Sequence, residues 1–219
     1  GALPPPDGQQ RRIFEDVVRP LLGDEDKTVL FMVDALRFEM AQELESQLGK
    51  STASRHIRLR PRLAELPCVT EVGMNVLAPV ADGSKLRPVL DRKQRRLVGF
   101  QTASFRVSSP ETRKKVMFHR AGGGSCPWYE LGDVLSLSAS DLRSSLRQAR
   151  LAVVHSREID DAGEKGAGLS VFSGAIRKLR KACRLLHEAG VKRFVITSDH
   201  GFLLRRVGDP VIPHGKVSD

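Results

Sequence analysis

Three short apolar runs, each breaking off at a polar or acidic cluster, constrain this chain more than any other feature. "TVLFMV" (28–33) is almost wholly apolar, half of it β-branched or nearly so in shape, and Asp34 follows at once. "LAVVH" (151–155) runs into a polar, glycine-rich stretch, and "FVIT" (194–197) runs into Ser198, Asp199, His200 and Gly201. Runs this short and this continuously apolar fit strands buried on both faces, the pattern of a parallel sheet. Helical segments lie between them. "ALRFEMAQELESQLG" (35–49) is amphipathic and stops at Gly49. "SVFSGAIRKLRKACRLLHEAG" (170–190) brings Phe172, Ile176, Leu179, Cys183 and Leu186 onto one side and stops at Gly190. The alternation predicts an α/β fold, a mainly parallel sheet with helices on both faces.

The rest of the chain fits around that core. Residues 1–27 read as a linker and a helix, the latter over 12–22 with Pro20 near its end; the opening "GALPPPDGQQRR" has no signal-peptide pattern. Residues 56–67 read as a weak strand and loop. Thr70 opens a short helix that Pro79 stops. Residues 81–130 lose clear periodicity and are rich in Arg, Lys, Gly and Ser, so they read as a basic, loop-rich insertion or cap on a main domain at 28–219. Residues 131–149 turn helical towards their end, and "REIDDAGEKGAG" (157–168) reads as a polar loop. The closing "PHGKVSD" ends on no element, and the chain reads as a domain cut from a longer protein.

Composition narrows the class. Hydrophobic residues are 40% and charged residues 28% of 219, the balance of a soluble globular chain. No apolar run nears the ~18–20 residues that span a bilayer. The three cysteines, Cys68, Cys126 and Cys183, are odd in number and lack zinc-finger spacing, which argues for a reducing cytoplasm and against a disulfide scaffold. The net charge of +10 suits an anionic partner such as nucleic acid, a nucleotide or another phosphate compound; a basic surface kept for solubility or for an acidic protein partner stays open beside it. With one Trp and one Tyr, no aromatic platform for single strands is evident.

Ligands of open α/β sheets gather beyond the carboxyl ends of the strands. Asp34, the pair Asp160 and Asp161, and the pair Asp199 and His200 all fall at such ends. Converging carboxylates repel and resist ionisation unless a cation joins them, and Asp oxygens with a neutral His nitrogen suit zinc or manganese. Each piece alone has a plainer reading: Asp34 and Thr70 as helix caps, "IDDAGEKG" as a solvated turn. Arg37 reads as a solvated charge one turn into the first helix. His155, ending its strand, is a candidate for a substrate or supporting role; His56, His119 and His187 lie away from the strand ends.

Taken in order, "VDALRFEM", "LPCVTEVGMNVLAP", "IDDAGEKG" and "VITSDHGFLL" resemble the PglZ domain of the alkaline phosphatase superfamily, over roughly residues 28–215. The resemblance implies an alkaline-phosphatase-like core with two divalent metals, commonly zinc or manganese, and a Ser or Thr nucleophile. Carried over, Asp34, Asp199 and His200 would hold one metal, and Thr70 would be the nucleophile and touch that metal. The second would take Asp160 and His214. Many superfamily members place a histidine four residues after the aspartate of the third motif; Glu164 stands there instead, which weakens the second site without abolishing it. The resemblance further implies a cytoplasmic phosphohydrolase, most readily a phosphodiesterase on nucleotide or nucleic-acid esters. Its setting would be a phage-exclusion defence or signalling system, with other defence proteins as partners. A non-catalytic scaffold binding metal or proteins is the alternative. A sulfatase-like or phosphomutase chemistry is a third reading, in which Cys68, two residues before Thr70, would matter.

Overall fold

The computed structural model describes residues 8–23, 25–51, 56–78, 86–91, 93, 96–164 and 169–202. A 3-10 turn (Gln10–Arg12) and a π turn (Phe14–Val18) lead into α1 (Arg19–Leu21). The strand β1 (Thr28–Val33) is followed by α2 (Phe38–Ser51) and α3 (Thr70–Leu77). Then come β2 (Arg87–Asp91), β3 (Arg96–Gln101), β4 (Arg106–Val107) and α4 (Pro110–Arg120). The last part holds β5 (Trp128–Glu130), α5 (Leu131–Ser136), α6 (Ala139–Ser145), β6 (Leu151–Ser156), α7 (Glu158–Glu164), α8 (Leu169–Glu188) and β7 (Arg193–Ser198).

The main sheet has the order β5-β6-β1-β7, and its strand pairs are all parallel. All six residues of β1 are buried because both faces of the sheet are covered. Val29, Phe31 and Val33 point to one face, where they join Met40 and Leu44 of α2 and Ile176, Leu179 and Leu186 of α8. Leu30 and Met32 point to the other and meet Phe14, Met74 of α3 and Met117 of α4. Period-two alternation therefore feeds two separate cores. The α/β architecture is the one that the strand–helix alternation predicts.

Register positions the carboxyl edge. Val33 pairs with Ser156 on one side and with Ser198 on the other, so three strands end at one level. Asp34, Arg157 and Asp199 consequently leave the sheet side by side.

The basic stretch that shows no clear period in sequence carries a second, antiparallel sheet, β2-β3-β4, and the helix α4. Ser109 caps α4 reciprocally with Thr112, and Pro110 takes the first helical position. Between the two sheets lies α3. Its Met74 and Leu77 pack against the main sheet, while Val72 and Val76 meet Phe100, Val107 and Val116. Clamped on both sides, α3 holds Thr70 at the carboxyl edge.

Two local expectations are corrected. The first long helix starts at Phe38 rather than at 35, because Ala35 takes a left-handed φ of 60° and breaks the helical path. The stretch read as a polar loop after β6 contains α7: Glu158, Asp160 and Asp161 in its first turn oppose the positive helix end, and Ile159 and Ala162 are buried beneath it.

Candidate metal centre

Asp34 and Asp199 are almost fully buried at the ends of neighbouring strands, and His200 stands beside them. One ligating atom from each of the three lies within 4.8 Å of the other two. His200 Nε2 is 3.5 Å from Asp34 Oδ1 and 3.3 Å from Asp199 Oδ2. Thr70 Oγ1 is 3.1 Å from His200 Nε2 and 3.4 Å from Asp34 Oδ1. The four side chains thus share one small space, although they come from three places far apart in the chain.

The surroundings fix each group. Asp199 Oδ1 accepts from the backbone N–H of Ala35 at 3.0 Å and from that of His200 at 2.8 Å. The left-handed turn at Ala35 is what aims the first of these donors. His200 Nδ1 lies 3.0 Å from the carbonyl of Gly201. A carbonyl only accepts, so Nδ1 carries the proton and Nε2 presents a lone pair to the two carboxylates. Gln10, buried under β7, donates to the carbonyls of Ser198 (2.8 Å) and Asp199 and accepts from the Glu65 N–H at 3.0 Å. Gly73 permits the closeness of α3: a Cβ there would sit 2.7 Å from the carbonyl carbon of Asp199 and 2.7 Å from its Cβ.

The electrostatics match the geometry. Burial, then the charges of Asp199 and Asp160, push Asp34 up to about 8, and Arg157 opposes the shift. Burial also raises Asp199, against the pull of His200 and the N–H donors of Ala35 and His200. Asp34 Oδ2 and Asp199 Oδ2 are buried without hydrogen-bond partners among the described residues. Two orphaned carboxylate oxygens facing an imidazole lone pair form an all-acceptor set. A divalent cation satisfies such a set, and the O₂N donor chemistry fits zinc or manganese.

The structure brings Asp34, Thr70, Asp199 and His200 together. Asp160 stands in the first turn of α7, close enough for its charge to act on Asp34 but outside the cluster of ligating atoms. Glu164 ends α7. His214 lies outside the described residues. Arg37 precedes α2 instead of standing within it; it pairs with Glu39 at 2.9 Å and lies over the ring of Phe202 at 5.3 Å, so it is not a solvated helix charge. Cys68 is exposed, and all three cysteines are free. A cavity of about 200 Å³ opens beside the centre, its wall including Leu36, Arg37, Arg60, Arg62, Thr197 and His200. Sequence reasoning missed Gln10, Ala35 and Gly73. Only Gly73 left a local signal, a glycine inside an otherwise apolar helix.

A family profile described as "BREX system PglZ alkaline phosphatase-like domain" matches residues 13–217. The chain is 23% identical over 203 residues to the alkaline phosphatase-like protein PglZ of Bacillus cereus (strain H3081.97). It is also 23% identical over 206 residues to the alkaline phosphatase-like protein BrxZ of Escherichia coli O9:H4 (strain HS). Each match covers 90% of this chain and 22% of the relative, so the chain spans about a fifth of the length of these proteins.

Proposed function

Because the chain belongs to the BREX-system PglZ alkaline phosphatase-like domain family, we propose that it is a metal-dependent phosphohydrolase, a phosphodiesterase acting on nucleotide or nucleic-acid esters. Asp34, Asp199 and His200 hold a divalent cation, zinc or manganese, and Thr70 is the nucleophile. Asp160, Glu164 and His214 serve a second metal. The observation that carries the reading is the hydroxyl of Thr70 beside an all-acceptor set with two buried, orphaned oxygens.

A bound dication supplies Lewis acidity and lowers the pKa of an adjacent alcohol. The chain's own residues do the rest. Thr70 Oγ1 attacks phosphorus, the ester P–O bond breaks, and the alcohol leaves; water then hydrolyses the phosphothreonine and restores the hydroxyl. Thr70 opens α3, whose N-cap, Val69, offers no side-chain acceptor to the first N–H groups, and this positive helix end favours an anion. The net charge of +10 and the arginines on the cavity wall favour a polyanionic substrate. Among the described residues no helix is long and apolar enough to cross a membrane. With its cysteines free, the domain is proposed to work in the cytoplasm alongside other components of a BREX defence system.

The test is cleavage of bis-p-nitrophenyl phosphate by purified protein with manganese or zinc. Wild type should turn over and Thr70→Ala should fall to background. Equal rates for the two refute the reading, and tight metal binding without turnover of any phosphate ester favours the non-catalytic scaffold.

A further inference from the structure

Beside the metal centre, the same face of the main sheet carries a second polar group of residues that the mechanism above leaves unused. Trp128 of β5 pairs with Val153 of β6, and two residues on Glu130 pairs with His155. By period two, all four side chains point to the face that bears Leu151, Val153 and Met117. Glu130 Oε2 lies 3.0 Å from His155 Nδ1 and fixes the ring. His155 Nε2 is buried without a hydrogen-bond partner among the described residues.

The helix α4 lies over this surface. Lys114 Nζ stands 5.7 Å above the ring of Trp128, and Met117 packs with Leu151 and Val153. Arg113 is one turn before Met117 on the same side of the helix, hence towards the carboxyl edge. Its guanidinium is under the charges of Asp199, Asp34, Glu111 and Glu130, which oppose the downward effect of burial on its pKa. Its Nε is buried with no hydrogen-bond partner among the described residues. A simple pattern results. Thr70, Arg113 and His155 each stand one step beyond a core residue, Met74, Met117 and Val153, and those three belong to one cluster.

We infer that Arg113, with His155 held by Glu130, forms the subsite that receives the phosphate group facing Thr70. Guanidinium N–H groups match tetrahedral oxyanions bidentately. A phosphate oxygen accepts from Arg113, and the hydroxyl of a hydrogen phosphate donates to the lone pair on His155 Nε2. The buried carboxylates of Asp34 and Asp199 keep the guanidinium near the centre without neutralising it through a direct ion pair among the described residues. The helix α4 of the basic stretch thereby becomes part of the site instead of a cover above it. This inference rests on the metallohydrolase reading, since the phosphate it places is the one Thr70 attacks.

The experiment titrates inorganic phosphate calorimetrically into the protein with and without saturating manganese, and titrates manganese alone in parallel. Arg113→Ala should weaken phosphate binding about 10- to 100-fold. Arg113→Lys, a point charge without the fork, should fall between, and His155→Gln should weaken it by a smaller factor; manganese affinity and melting temperature should stay near wild type. Unchanged phosphate affinity in Arg113→Ala overturns the inference while leaving the metal-binding and Thr70 results standing. Loss of manganese affinity or a lowered melting temperature in Arg113→Lys assigns the residue a structural role and overturns it as well. Wild type that binds phosphate in neither state also overturns it. Wild type that binds no manganese contradicts the metallohydrolase reading separately, and the metal-free titration then still decides whether Arg113 grips phosphate.

Discussion

Replacing Gly73 with alanine sets two effects against each other. In a helix interior alanine is favoured over glycine by about 1 kcal/mol. At Gly73, however, the added methyl would lie 2.7 Å from the carbonyl carbon and from the Cβ of Asp199, far inside contact distance. The atoms it meets belong to the end of β7 and not to a flexible side-chain tip, so α3 or the ligand turn must shift. Overpacking of this kind costs roughly 1–3 kcal/mol. The clash therefore outweighs the propensity, with a net loss of about 1–2 kcal/mol. For a chain of this size the melting temperature should fall by roughly 2–8 °C. The shift also separates Thr70 from Asp199 and His200, so manganese affinity should drop by about tenfold or more. Gly174→Ala is the control: in α8 its nearest neighbour is the end of the Arg177 side chain at 3.9 Å, so only propensity acts and the melting temperature should rise by roughly 2–4 °C. Thermal melts of the three proteins, with calorimetric metal titration, read both effects. Gly73→Ala as stable as wild type with unchanged metal affinity would refute the close packing of α3 on Asp199.

Two further outcomes follow from the same geometry. Asp34 is held at about 8 in the fold against an ordinary value of 3.8, so metal-free protein should lose stability as pH rises from about 4 to about 8. Over the 3.8–7 part of that window the ceiling is about 4 kcal/mol, at 1.36 kcal/mol per unit; sharing of charge with Asp199 leaves a realised loss of roughly 1–3 kcal/mol. Asp34→Asn should flatten the decline and melt higher than wild type at pH 7 without metal, while saturating manganese should reverse the order; melts at pH 5, 7 and 8 that superimpose for the two proteins would count against the burial of this charge. Gln10→Ala removes the donor to two carbonyls at the end of β7 and the acceptor for the Glu65 N–H, so it should cost about 2–4 kcal/mol and weaken metal binding, read as a drop of roughly 5–10 °C in the melt.

The three apolar runs and the two long amphipathic helices were legible because burial on both faces, or on one helical stripe, leaves its period in the residues themselves. Asp34, Asp199 and His200 could be placed at one edge because parallel strands of equal length end together, and the register of Val33 with Ser156 and Ser198 realises that. Other parts depend on contacts that no local pattern encodes. Ala35 adopts a glycine-like φ because its N–H is needed by Asp199, which lies 164 positions away. Gln10 acts through backbone carbonyls and leaves no motif. Arg113 belongs to a stretch whose charges look like surface, and only the packing of Met117 on the sheet turns it inward. The helix α7 hides behind a run of acidic residues and a glycine, since its burial rests on just Ile159 and Ala162.

The central claim is that Asp34, Asp199 and His200 form a cation site, and calorimetric titration of manganese and zinc into metal-free protein tests it most directly. Wild type should bind with a rise in melting temperature, and Asp199→Asn and His200→Ala should each weaken that binding at least about tenfold while remaining folded. Binding in both variants that matches wild type, or a wild type that takes up neither ion, would contradict the account.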